Sequence, residues 1–386
     1  MRFDPTRKLT RENLRDLPPL CTDGAWGTEM QKLGARPGEL ADVWNLEQPD
    51  KVLSVAKSYV DAGSQVILTN TFSSSRILLG IHGMANRAFA LSKAGAELSK
   101  RAARGRAYVF ASIGPCGKMV MMGEADPDEV RAAAAEQARA FEEGGADAIV
   151  IETQSDLVEA GAALQGCLEA CALPVGVSFT FDAGASNDRT MMGVSIPEVY
   201  NLAVEGGASF VGANCGAGIE TFVEIAKAFQ ACEGGLASRS NTGGGSGGGP
   251  GGPAADRRPE GGGPASKGGG FGGAAADRRP EDGGPASTGG GPGDGGPVSL
   301  GGGPASLGAC PAPGGGSLSA ALPIWIKGNA GRPQVDSAGN VRYNAGPEVF
   351  ASVVGPLLAA GARFSGGCCG STPDHVRAIA KALASR

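Results

Sequence analysis

Short runs of apolar and β-branched residues recur along the chain, each followed by a longer stretch in which apolar positions return every three or four residues. The runs are PLCTDGAWG near residue 20, QVILTNTF from Gln65, AYVFASIGP from Ala107, DAIVIET from Asp147, LPVGVSFTF from Leu173, SFVGANCG from Ser209, LPIWIKGNAG from Leu322 and ARFSGGCCG from Ala362. Between them lie helix-like segments such as DKVLSVAKSYVDAG, DEVRAAAAEQARAFEEGG and PEVFASVVGPLLAAGA. Several of these end in glycine, the usual helix stop.

Strand and helix alternating in single file predict an α/β protein with a parallel sheet and crossover helices. Polar and glycine-rich residues close almost every strand, whereas an open doubly wound sheet concentrates its glycines after the first. Eight units of this kind predict a closed (β/α)8 TIM barrel.

The pattern breaks once. Of the 66 glycines, 33 fall between Glu233 and Ala321. There GGPAADRRPEGGGPAS (Gly251–Ser266) returns as GGAAADRRPEDGGPAS (Gly272–Ser287), followed by further GGGPAS fragments. A Gly/Pro/Ala/Ser tract buries too little apolar area to offset its ordering entropy, so a disordered insertion is expected. It lies between helix 6 and strand 7, an αβ connection on the face opposite the βα loops that carry barrel chemistry. The expected division is residues 1–232 for the first six units, 233–321 for the low-complexity insertion and 322–386 for the last two units.

Composition narrows the function classes. Net charge is −5, with 34 basic and 39 acidic residues and no Lys/Arg block that would track a phosphate backbone, so no nucleic-acid partner is expected. No apolar run is long enough to span a bilayer, and the N-terminal segment has no signal-like h-region, so no membrane association and a cytoplasmic address are expected. In that compartment nine cysteines read as thiols or metal ligands rather than disulfides.

Metal ligands of a barrel must sit at strand C-terminal ends to converge on its mouth. Cys215 ends the sixth strand, and Cys368 with Cys369 end the eighth. Adjacent cysteines seldom bond to each other. Flanking Gly366, Gly367 and Gly370 are expected to let the backbone turn so that both thiolates reach one ion. Three thiolates suit Zn2+, with a fourth position left open, which is the mark of a catalytic site. Zinc there would keep an incoming thiol ionised. Of the other cysteines, Cys167 and Cys171 read as packing, Cys116 as a pocket-wall candidate, and Cys21, Cys232 and Cys310 have no assigned role.

The motifs DGAWGTEM (Asp23–Met30), ILTNTF (Ile67–Phe72), IGPCG (Ile113–Gly117), IET (Ile151–Thr153), GANCG (Gly212–Gly216), KGNAGRP (Lys327–Pro333) and GGCCGSTPDHV (Gly366–Val376) together resemble the homocysteine S-methyltransferase family. The resemblance covers the chain except the Gly/Pro tract, and is greatest to the homocysteine-binding zinc module of cobalamin-dependent methionine synthase. It implies zinc on Cys215, Cys368 and Cys369 and a methyl transfer to homocysteine that makes methionine. It also implies a substrate cradle: Asp23 and Glu152 for the ammonium, and the backbone of Gly24, Ala25 and Trp26 for the carboxylate. Asn329, in the NAG turn, would occupy or flank the open zinc position when the thiol is absent.

No catalytic residue beyond the zinc site is expected, because in-line attack by a thiolate needs alignment more than a proton shuttle. Candidate donors are methylcobalamin on a separate protein, S-methylmethionine and betaine; Trp26 and Phe72 are placed to hold a donor cation. The other readings are a methyltransferase for a different thiol with a corrinoid protein partner, and a non-catalytic zinc-binding barrel.

Overall fold

The computed structural model describes residues 3–36, 38–240, 321–335 and 341–386. Eight strands appear where the apolar runs place them: β1 (Leu20–Cys21), β2 (Val66–Leu68), β3 (Tyr108–Ile113), β4 (Ala148–Gln154), β5 (Val175–Phe179), β6 (Phe210–Gly218), β7 (Ile324–Asn329) and β8 (Ala362–Gly367). They form one parallel sheet in the order β1-β8-β7-β6-β5-β4-β3-β2. The ring closes between its ends through a parallel bridge from Thr22 to Val66 and the Gln65 N–H to Cys21 carbonyl bond of 2.8 Å. The fold is the expected (β/α)8 barrel.

One main helix follows each strand: α1 (Pro49–Ala62), α2 (Ala88–Ala103), α3 (Pro127–Glu143), α4 (Leu157–Ala170), α5 (Ile196–Glu205), α6 (Phe222–Ser240), α7 (Pro347–Ala359) and α8 (Pro373–Ala384). Their starts have local causes. Proline opens the first turn of α1, α3, α7 and α8, where its missing N–H is no loss. Asp126 caps α3 by accepting from the Asp128 N–H at 2.8 Å. Gly63, at φ 105°, ends α1 in the left-handed conformation that favours glycine.

The low-complexity composition that begins at Glu233 starts on the last turns of α6, which runs to Ser240. The chain re-enters the described residues at Ala321, just before β7, so the insertion lies between helix 6 and strand 7 as expected. Residues 241–320, on which the expectation of disorder falls, lie outside the described residues, as does Cys310.

Strand alternation sorts side chains between lumen and helices. On β4, Ala148 and Val150 face inward while Ile149 and Ile151 pack under the helices. The lower lumen is filled by Phe110, Phe210, Trp325 and Phe364, all fully buried, with ring centroids 5.5 to 5.8 Å apart. Each such pair contributes about 0.5–1.5 kcal/mol beyond its area. The strand N-terminal end is sealed by Leu9, Leu14 and Leu17, which join the same cluster, and by Tyr108, whose hydroxyl donates to the Asp4 carbonyl at 2.5 Å. A solid floor and a closed bottom leave the C-terminal mouth as the only lumen end with polar side chains among the described residues.

Candidate active site and metal centre

One step above the aromatic floor the inward positions turn polar: Asp23, Ser112, Glu152, Ser178, Asn214 and Lys327, every one of them buried. Above these, at the strand ends, the thiols of Cys215, Cys368 and Cys369 lie within 4.8 Å of one another, the one cluster of this kind among the described residues. Cys215 and Cys369 are separated by 3.9 Å between sulfurs.

The backbone accepts strain to bring them there. Cys215 sits at φ 59° and Thr153, at the end of β4, at φ 60°, each left-handed without being glycine. That costs about 1–2 kcal/mol per residue. Both lie where strand register slips, between Asn214 and Gly218 on β6 and between Ile151 and Gln154 on β4, the kind of bulge that re-aims a side chain.

Asn214 ties the two strained residues together. Its Oδ1 accepts from the Thr153 N–H at 3.0 Å and the Ser178 hydroxyl at 2.6 Å. Its Nδ2 donates to Thr153 Oγ1 at 2.7 Å and lies 3.5 Å from the Cys215 sulfur.

The glycines around the adjacent cysteines act differently from the expected turn freedom. Neither Gly366 nor Gly367 has a positive φ. A Cβ on Gly366 would run into Thr22 Oγ1, and one on Gly367 into Ser371 Oγ, so both permit close approach of neighbouring chain. The turn itself comes after the pair, at Gly370 with φ 79°, where a Cβ would also strike the Tyr343 ring. Tyr343 is hydrogen-bonded to Cys369 through its side chain.

Crowding sets the protonation of the thiols. Cys215 and Cys368 donate to Cys369 and hold it as the thiolate, down at about 3. Cys215 is raised well above the ordinary thiol by its bonds to Cys368 and Cys369 and by burial. A cation entering the triangle therefore displaces protons.

The carboxylates divide by environment. Asp23 is fully buried; its Oδ1 takes the Lys327 ammonium, and its Oδ2 accepts from the Trp26 indole at 2.8 Å and the Leu68 N–H at 2.7 Å. Glu152 accepts from the Ser112 hydroxyl at 2.5 Å. Burial pushes its carboxyl up to about 7, against the pull of Lys327.

The turn Gly24–Trp26 is held by Tyr59, whose hydroxyl donates to the Ala25 carbonyl at 2.7 Å, and by an Ala25 N–H to Ser371 carbonyl bond of 3.4 Å. Asn329 donates weakly to the Gly216 carbonyl at 3.4 Å, while its Oδ1 is buried with no partner. Cys116 lies apart, its N–H bonded to Glu159 at 2.5 Å. Cys167 is buried against the Ala134 carbonyl, a packing residue. Phe72 is 38% exposed, on the loop after β2, with its ring beside Gly114 rather than paired with Trp26.

The family model for homocysteine S-methyltransferase matches residues 20–259 and 312–383. The chain belongs to the homocysteine S-methyltransferase family. Methionine synthase of Mycobacterium leprae is 23% identical over 381 residues, covering 94% of this chain and 24% of that protein. Methionine synthase of Mycobacterium tuberculosis is 28% identical over 213 residues, 51% of this chain and 18% of that one. The chain thus spans a quarter or less of the length of these relatives. Among solved structures, the homocysteine methyltransferase MmuM from Escherichia coli, in its metallated form, has the same fold, with a TM-score of 0.61, 17% identity, and coverage of 98% of this chain and 99% of that one.

For this homocysteine S-methyltransferase family member the donor set fits a soft tetrahedral ion. Zn–S bonds of about 2.3 Å require sulfurs about 3.8 Å apart, close to the 3.9 Å between Cys215 and Cys369. The unpartnered Asn329 Oδ1 is an acceptor that a cation, or a water bound to one, can satisfy.

Lys327, Asn214 and Tyr343 were not anticipated from sequence. Period-two alternation from Trp325 through Lys327 to Asn329 is the signal that places Lys327 in the lumen. Nothing local marks Tyr343, which reaches the site from the segment after β7.

Proposed function

We propose that this chain methylates the thiol of homocysteine to form methionine, on a zinc ion held by Cys215, Cys368 and Cys369. The observation that carries the reading is three thiols within 4.8 Å of one another at the mouth of a barrel of this family. No helix among the described residues is long and apolar enough to cross a membrane. Three unpaired thiols suit a reducing compartment such as the cytoplasm.

When bound, zinc supplies a soft Lewis acid that keeps the acceptor sulfur ionised at neutral pH. The chain's residues do the remaining work. The three cysteines would hold the ion, with Asn214 orienting Cys215 and Tyr343 orienting Cys369. Asn329, bonded to the Gly216 carbonyl next to Cys215, would offer its unpartnered Oδ1 beside it. Glu152 receives the substrate ammonium, and Asp23, its oxygens taken by Lys327, Trp26 and Leu68, holds the neighbouring wall. The Gly24–Trp26 turn faces the carboxylate with the N–H groups that Ser371 does not occupy. A homocysteine thiolate aligned in this way would meet the methyl carbon in line, its new S–C bond forming as the donor's bond to that carbon breaks.

The test is methionine formation by zinc-loaded protein from homocysteine with methylcobalamin, S-methylmethionine and betaine in parallel, beside a panel of other thiols. Methionine from homocysteine with one donor supports the reading and identifies that donor. Methylation of another thiol but not of homocysteine would overturn it.

A further inference from the structure

Lys327 is fully inside the barrel, with its side chain 2% exposed and that of Asp23 0%. A buried ammonium is costly unless its charge is paired and its N–H groups are bonded. Pairing is present. Bonding is incomplete, because among the described residues only Asp23 accepts from Nζ, and an ammonium carries three donors.

Asp23, by contrast, has both oxygens occupied, by Lys327 on one side and by Trp26 and Leu68 on the other. Asp23 and Lys327 together are neutral. Among the described residues Glu152 accepts only through Oε1, from Ser112, which leaves Oε2 for a new cation, and Lys327 is the cation with spare donors. Neutralising Asp23 alone needs no spare donors.

A molecule completing both needs one positive and one negative group on neighbouring atoms, which is the α-amino-acid zwitterion. Position agrees. Lys327 Nζ is bonded to Asp23, the residue immediately before the Gly24–Trp26 turn. Of the turn's amides, that of Ala25 is already directed at the Ser371 carbonyl, 3.4 Å away.

We propose that Lys327 is a specificity-determining residue that reads the α-carboxylate of the acceptor while Glu152 reads its ammonium. The acceptor class is then an α-amino-acid thiol, a statement that rests on the homocysteine reading above. Loss of either group from the substrate leaves a buried charge without its partner, which is why discrimination is strong.

The experiment is calorimetric binding of three thiols to zinc-loaded protein: homocysteine, 3-aminopropane-1-thiol, which lacks the carboxylate, and 4-mercaptobutanoate, which lacks the ammonium. Wild type should bind homocysteine at least ~30-fold more tightly than the aminothiol, the range for one buried charge contact. Lys327→Met should bring homocysteine down to the level of the aminothiol. Because Lys327→Met strands the Asp23 charge, the Asp23→Asn/Lys327→Met double variant is measured beside it; its Asn Oδ1 still accepts from Trp26 and Leu68. A preference for homocysteine over the aminothiol that survives in either folded variant overturns the assignment of Lys327 alone. Failure of wild type to bind homocysteine overturns the homocysteine reading itself, and this proposal with it.

Discussion

The sulfurs of Cys215 and Cys369 stand 3.9 Å apart although 154 residues separate them in sequence. Strands six and eight of the barrel, each bonded to β7, carry them to the same rim. The distance matches the edge of a thiolate tetrahedron around zinc, about 3.8 Å. Replacing Cys215, Cys368 or Cys369 by alanine should abolish stoichiometric zinc binding and methyl transfer. The far-UV circular dichroism should be retained, since the cysteines sit above the packed core. Metal analysis after gel filtration checks the first outcome. A Cys→Ala variant that keeps one zinc per chain and turns over would refute the ligand set.

Asn214→Ala tests the support of Cys215. The substitution removes the bonds to Thr153 and Ser178 and releases two residues held at positive φ. Zinc affinity, read by competition with a chromophoric chelator, should fall about 10–100-fold. Stability should fall by about 1–3 kcal/mol for the donors left unsatisfied. Unchanged zinc affinity would show that Cys215 is held by the strand alone.

Glu152 carries the pH dependence. Burial raises its carboxyl from the ordinary 4.5 to about 7. A carboxyl raised on folding favours the folded state fully below its unfolded value, and that contribution is lost as pH rises through the folded one. Glu152→Gln removes the effect, so the variant should gain on wild type between about pH 5 and pH 8, by up to about 3 kcal/mol in urea unfolding.

The same shift governs binding. An incoming ammonium stabilises ionised Glu152, so homocysteine binding to wild type should release more protons near pH 6 than near pH 8. Calorimetry in buffers of different ionisation enthalpy reads the difference. Glu152→Gln should release equal numbers at both pH values and bind more weakly at pH 8. A wild type without the pH dependence would remove Glu152 from the ammonium site.

Deleting Gly245–Ser317 should spare turnover within about twofold and move Tm by no more than about 3 °C, because surface connections tolerate large changes in length. The cut starts beyond Ser240 because α6 runs that far. Loss of folding on deletion would give the tract a structural role.

Most of the barrel was legible from pattern alone. The eight apolar runs became the eight strands because β-branched residues with glycine at the strand ends have few other uses in a chain that alternates with helices. The convergence of Cys215 with Cys368 and Cys369 was legible for a related reason: topology fixes which strand ends share a rim. What stayed hidden depends on contacts across strands. Lys327 lay inside an otherwise apolar run, and only alternation with Trp325 reveals that it faces the lumen and Asp23. Asn214 could be read as part of a motif, but its bonds to β4 and β5 could not. Gly366 and Gly367 suggested turn freedom, whereas their neighbours Thr22 and Ser371 show that the need is for space.

The most direct measurement is zinc K-edge X-ray absorption on the zinc-loaded protein, with and without homocysteine. About three sulfur neighbours near 2.3 Å, rising to about four when homocysteine is added, is the expected result. Fewer than three sulfurs without homocysteine, or a sulfur count that homocysteine leaves unchanged, would contradict a three-cysteine zinc site that binds the acceptor thiol.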